Sequence, residues 1–295
     1  MPAANRRTLF LDDELSDGEL EFVVRKSPTA SRTLKRRRVI GLAAPGDAGS
    51  TEVDAKPVSN SGRFPVIPTK PSQAHELSLV PVLTGSPWSH YERRYRVRYG
   101  FSFGIITSRN ASCQTFMIRT VTGRDTEDRI QNIRQLCHPN LAKNLEIYAC
   151  SDSSYFLVSE FMPTSLLHLC RSPIYPTEPQ LGSLLHQVLI GLEFLLDCGL
   201  VHETLSCGNL LVNFAGEVKI CDIENCQRSG NMTALSTSLS RVMMRLMDKE
   251  RTETMAVGLT HPDKWSHDAI DLFTAITATA DIQKLLAHNF LLKKN

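Results

Sequence analysis

Apolar and basic residues alternate in YRVRY (95–99), the pattern of a half-buried strand. A turn at 100–104, Gly-Phe-Ser-Phe-Gly, leads into a second strand at Ile105-Ile106, and FMIRT (116–120) predicts a third. YFLVSEFM (155–162) reads as a buried strand running into a linker. A long helix follows, because Leu181, Leu184, Leu185, Val188, Leu192 and Leu195 recur at i, i+3, i+4, i+7 spacing. Thr177 with Gln180 forms a capping box at its start, and Gly199 suits its end. Leu210–Val212 and Val218–Ile220 then predict a hairpin turned at Ala215-Gly216. A helix carrying Leu239, Val242, Met243, Leu246 and Met247 comes next. WSHDAIDLF (265–273), with Ser266 as N-cap and Ile270 and Phe273 facing inward, and LLAHNFL (285–291) complete the pattern.

The periodicity is confined to the chain from about Tyr91 onward. Residues 1–90 hold nine of the fifteen prolines and four aromatics, and are expected to form a disordered tail. Charge is segregated there: six acidic residues between Asp12 and Glu21, then seven basic ones between Arg25 and Arg38, ending in Lys35-Arg36-Arg37-Arg38. That basic cluster suits nuclear import or an anionic partner, or a solvated tail pairing with its acidic neighbour. Ser27-Pro28 and Ser86-Pro87 are candidate phosphorylation positions.

Composition sets outer bounds. With 42% hydrophobic residues and a mean hydropathy of −0.16, the 295-residue chain is expected to be globular over most of its length. No run of 18 apolar residues and no signal-like apolar core exist, so an intracellular, cytoplasmic or nuclear, protein is expected. The eight cysteines lack any CxxC pair, which argues against a zinc site or a disulfide framework. A net charge of +2 points to no particular partner.

Chemistry concentrates around the hairpin. The segment before it reads His202-Glu203-Thr204-Leu205-Ser206-Cys207-Gly208-Asn209, and the segment after it Asp222-Ile223-Glu224. In spacing this resembles the eukaryotic protein kinases, with their H-R-D-L-x-x-x-N catalytic loop and D-F-G metal loop. FMIR, His138-Pro139-Asn140, YFLVSEF and the long helix fall in the same family order. The resemblance covers Tyr91 to Leu292 and implies an α+β, two-lobed protein-kinase-like fold: a small β-rich N-lobe to about residue 160, then a mainly helical, reduced C-lobe to 293. It implies Asn209 and Asp222 as metal ligands, and Gly104, Arg119, Ser159, Glu160 and Met162 around a nucleotide. Ser159 takes the gatekeeper position.

The departures are equally specific. Thr204 stands at the catalytic aspartate and Arg119 at the phosphate-binding lysine. Counting back nine residues from His138 places Arg129 at the helix glutamate that pairs with that lysine. Glu127 lies about 200° around the helix from it. Of the glycine-loop positions 99, 101 and 104, only Gly104 is glycine. About ten residues follow Glu224 before the next helix, against roughly 20–30 in the family, with no A-P-E, and Leu235 sits near the place of that helix's opening aspartate. Threonine cannot serve as a base near neutral pH, and Glu203 is a poorly placed substitute. A pseudokinase acting as a scaffold or regulatory module is therefore expected. An atypical ATP-dependent serine/threonine kinase using Glu203 or Glu224 stands as an alternative, as does a nucleotide sensor. ATP and magnesium are left open, protein partners are expected, and neither membrane nor nucleic acid is.

Overall fold

The computed structural model describes residues 79–292, apart from 151, 152, 253 and 280. The chain divides into Met1–Thr69 and Lys70–Asn295, and the described residues all belong to the second unit. The acidic run, Ser27-Pro28 and the cluster Lys35 to Arg38 lie outside them.

Regular structure starts earlier than the expected Tyr91. Strand β1 (Val82–Thr84) runs parallel to a later strand, and the Val80 N–H donates to the Arg134 carbonyl at 3.1 Å. Ser86 caps the 3-10 turn Pro87–Ser89. The remaining N-terminal elements are β2 (Tyr91–Arg98), β3 (Ser102–Ser108), β4 (Thr115–Val121), α1 (Thr126–Ile133), β5 (Asn144–Ala149) and β6 (Tyr155–Glu160). They build one six-stranded sheet in the order β1-β5-β6-β4-β3-β2. As its edge strand, β2 buries less than its alternation predicts: Tyr95 is exposed, Val97 half-buried, and Tyr99, just past the strand end, fully buried.

The second lobe is mostly helical. It contains β7 (Thr164–Ser165), α2 (Leu166–Arg171), α3 (Glu178–Asp197), β8 (Leu200–Val201), β9 (Leu210–Val212), β10 (Val218–Ile220), β11 (Gln227–Arg228), α4 (Met232–Met247), α5 (His267–Ala278), α6 (Ile282–Leu286) and α7 (Asn289–Leu292). The stripe of α3 faces the core, with Leu181, Leu185, Val188, Leu192 and Leu195 buried. Thr177 and Gln180 form the reciprocal capping box that their spacing predicts. Ser266 likewise caps α5.

β9 and β10 pair as the expected hairpin, with Val218 opposite Val212 and Ile220 opposite Leu210. Asn140 fixes it from below: its carbonyl accepts the Ile220 N–H at 2.8 Å, and its amide donates to the Val218 carbonyl at 3.0 Å. The loops before β9 and after β10 therefore have anchored ends, which positions the site between the lobes.

The segment after β10 is shorter than expected. A 3-10 turn covers Ile223–Asn225, β11 pairs back onto β8, and α4 begins at Met232, inside the stretch read as a connection.

Candidate functional site

Arg119, at the centre of β4, projects toward the loop after β10. Its guanidinium donates to Asp222 Oδ1 at 3.1 Å and also bonds the Glu224 carboxylate. The ion cluster is well enclosed, with the side chains 11% (Arg119), 17% (Asp222) and 2% (Glu224) exposed. One guanidinium thus serves two carboxylates. Burial pushes the Glu224 carboxyl above the usual carboxylate range; Arg119 pulls it back, and Asp222 pushes it up again. Asp222 adopts a left-handed backbone at φ 67°, a conformation that aspartate tolerates better than most residues. Its Oδ1 also accepts from Asn225 Nδ2 at 2.6 Å.

Arg129 occupies the face of α1 that the register predicts. It donates to the Glu224 carbonyl at 3.0 Å through Nε and bonds the Asn225 side chain. The two arginines avoid each other because the acidic loop lies between them. Helix α1 is tied to this loop by Arg129, in place of an ion pair with β4.

Asn209 is satisfied within its own loop. Its Oδ1 accepts the Ser206 N–H at 2.8 Å, and its Nδ2 donates to the Thr204 carbonyl at 3.0 Å. His202 lies beneath, fully buried, with Nε2–H donating to the Cys221 carbonyl at 3.2 Å and Nδ1 without a partner. Burial holds its pKa below the usual imidazole value. Thr204 is exposed at the cleft. Glu203 turns to the start of α4, where Oε1 accepts the Asn231 N–H at 2.5 Å.

The linker after β6 is engaged by the protein's own side chains. Tyr99 donates its hydroxyl to the Met162 carbonyl at 3.0 Å, and the Met162 N–H donates to Met117 Sδ at 3.3 Å. Tyr99, Phe103, Met117, Ala142, Met162 and Leu211 pack as one buried cluster. Burial pushes the Tyr99 phenol up to about 12. The cavity between Arg119, Ser159, Cys221 and Asp222 measures about 10 Å³. That is room for one water molecule at most.

Glu160 bonds Lys219 Nζ at 2.9 and 3.0 Å and the Lys143 N–H at 2.7 Å. Gly104 lies within β3, where an added Cβ would come within 2.9 Å of Ile118 Cγ2. Its missing side chain makes room for a neighbour in the sheet. Phe101 packs on Phe103 with the rings tilted by 42° and their centroids 4.8 Å apart.

The turn between β2 and β3 presses directly onto the loop carrying Asn209. A Cβ on Gly208 would lie 2.5 Å from the Tyr99 carbonyl oxygen and 2.7 Å from Gly100 Cα. Gly100, at φ +128°, is equally close from the other side. Only a glycine pair permits this backbone approach.

The structure therefore brings Arg119, Asp222 and Glu224 together and places Asn209 and Thr204 beside them. Ser159 and Met162 lie deeper, both buried, with Met162 bonded to Tyr99. Sequence reasoning missed Tyr99 and Met117; the signal was an aromatic residue at the first position of the glycine loop.

Comparison with known proteins agrees with this architecture. The protein kinase domain, as a sequence family, matches residues 112–270. Over 93 residues, 30% of this chain and 14% of its own length, cyclin-dependent kinase C-2 C of Arabidopsis thaliana is 39% identical. Mitogen-activated protein kinase mpkC of Emericella nidulans is 31% identical over 104 residues, 35% of this chain and 25% of its own. Cyclin-dependent kinase 12 of Caenorhabditis elegans is 31% identical over 105 residues, 32% and 14% of the two chains. This chain thus spans between about a seventh and a quarter of the length of these relatives. With more than half its residues matched, and with a β-sheet lobe joined to a helical lobe through the Tyr155–Met162 segment, the chain belongs to the protein kinase domain family.

Proposed function

We propose that this protein is a pseudokinase: a kinase-shaped binding or regulatory module that carries out no efficient phosphoryl transfer. The observation that carries this reading is the linker, where both backbone groups of Met162 are bonded to Tyr99 and Met117, together with the cavity of only about 10 Å³ between Arg119, Ser159 and Cys221. Small-molecule sites ordinarily need several hundred Å³. The presumed metal ligands support the same reading. Asn209 is hydrogen-bonded within its loop through both polar atoms of its amide, and Asp222 Oδ1 is paired with Arg119 and Asn225. These contacts weigh against a magnesium nucleotide in this arrangement.

The atypical-kinase alternative lacks a base. Glu203 is bonded to the start of α4, and Glu224 is buried against Arg119. Nothing at Thr204 replaces the carboxylate.

Thermal unfolding of the whole chain with and without ATP and magnesium tests the proposal. A ligand at about a hundred times its Kd adds about 2.7 kcal/mol. No shift at millimolar nucleotide is expected. A magnesium-dependent shift that Asp222→Ala removes would overturn the reading and favour a nucleotide sensor.

A further inference from the structure

In front of the closed linker, a second cleft of about 510 Å³ opens between the lobes. Three arginines from separate elements converge on it: Arg98 at the end of β2, Arg171 at the end of α2, and Arg245 in α4. Thr204 and Ser206 contribute hydroxyls to the same wall. Ser206 Oγ accepts the Gly208 N–H at 3.3 Å and keeps its own proton to donate. The carboxylate lining this cleft, Asp222, shares the Arg119 guanidinium with Glu224.

Among the described residues, the side chains of Arg98 and Arg171 have neither a hydrogen-bond nor an ion-pair partner. Both are exposed to the cleft. Arg245 bonds the Arg251 carbonyl through one terminal nitrogen, while its Nε is buried with no partner. A buried guanidinium donor without an acceptor is costly. Three arginines outnumber the one carboxylate on this wall, and Arg119 behind it offsets part of the Asp222–Glu224 charge, which leaves the concavity positive.

We propose that this cleft binds a phosphorylated serine or threonine within a peptide segment. A phosphoryl group carries close to two charges and three acceptor oxygens at neutral pH, and guanidinium forks match that geometry with paired hydrogen bonds. The volume exceeds what one phosphoryl group fills and leaves space for the flanking peptide. The partner is thus a phosphoprotein, recognised at the face where the family's chemistry would otherwise be performed. The inference rests on the closed-cleft reading, since an open linker would let a nucleotide place its phosphates here.

The test uses the whole chain and a fluorescein-labelled alanine hexapeptide carrying one central phosphoserine, followed by fluorescence anisotropy. The phosphoserine peptide should bind at least about tenfold more tightly than its serine counterpart. Arg98→Ala and Arg171→Ala should each weaken it about five- to tenfold, with Arg171→Lys intermediate. Both arginines are exposed, so these variants keep the fold. Equal binding of the two peptides, or unchanged binding in the Arg98→Ala/Arg171→Ala double variant, would overturn the proposal. Inorganic phosphate binding as tightly as the peptide would also overturn it, leaving a simple anion site. ADP with magnesium that binds tightly and ignores both arginine substitutions would instead overturn the closed-cleft reading.

Discussion

Glu224 faces Arg119 across the lobes, and the two form an ion pair that the family builds from other positions. The acidic partner comes from the loop after β10, because α1 presents Arg129 where a glutamate would stand. Removing one member of a buried pair strands the other charge, at a cost of about 3–5 kcal/mol. Glu224→Ala should lose that much in urea-induced unfolding, tempered by the remaining contact of Arg119 with Asp222. Arg119→Met with Glu224→Leu and Asp222→Asn should recover most of it, since apolar replacements of buried pairs are often neutral and the amide leaves Asp222 without a stranded charge. A triple variant as unstable as the single one would show that the ion cluster is not the source.

Tyr99 joins the first lobe to the linker through its hydroxyl. Tyr99→Phe keeps the ring and should cost about 1 kcal/mol. Tyr99→Ala leaves a cavity and should cost about 3–5 kcal/mol. Denaturant titration separates the two; equal losses would mean that the hydroxyl, and not the packed ring, carries the contribution.

Gly208 and Gly100 touch backbone to backbone. Gly208→Ala forces its new methyl against the Tyr99 carbonyl and Gly100 Cα, neither of which is a flexible side-chain tip. A loss of about 1–3 kcal/mol, or more, is expected. Exchange of the amide hydrogens at 99–103 should accelerate in the same variant. Unchanged protection there would exclude a parting of the two loops.

His202 gives a pH dependence with a definite sign. Burial lowers its folded-state pKa, so below about pH 6.5 the unfolded chain takes up a proton that the folded chain refuses. Its contribution is present above that pH and is lost as pH falls, by at most about 1.4 kcal/mol per unit. His138 and His168 are also held low by burial and act in the same direction. Glu224, raised by burial, acts oppositely: its folded form holds a proton longer, and stability declines as pH rises through its window. Unfolding midpoints of the parent chain and of His202→Gln between pH 5.5 and 8 check the first of these. The variant should lose less stability on acidification; parallel curves would rule out His202.

Much of the second lobe was legible because its signals are local. The α3 stripe, its capping box, the β9–β10 hairpin and the Ser266 cap each depend on residues within one element or turn. β1 was missed because three residues among prolines carry no period, and their pairing with β5 is long-range. At the site, the spacing of His202, Asn209 and Asp222 placed the loops correctly. It could not reveal that Met117 and Tyr99 close the linker, since those contacts span 45 and 63 residues of sequence. Nor could spacing show that Glu203 would turn toward Asn231, 28 residues on, away from Thr204 beside it.

The Gly100–Gly208 contact has a bearing on how the molecule comes apart. Active kinases of two lobes work by hinging, with a cleft that breathes on microsecond to millisecond timescales. Here the tip of one lobe has no side chain between it and the loop of the other, so any hinge motion begins by breaking backbone packing. The lobes should melt together in a single cooperative step, with calorimetric and van't Hoff enthalpies in agreement. A molecule built in this way would offer any partner the face that this backbone contact sets.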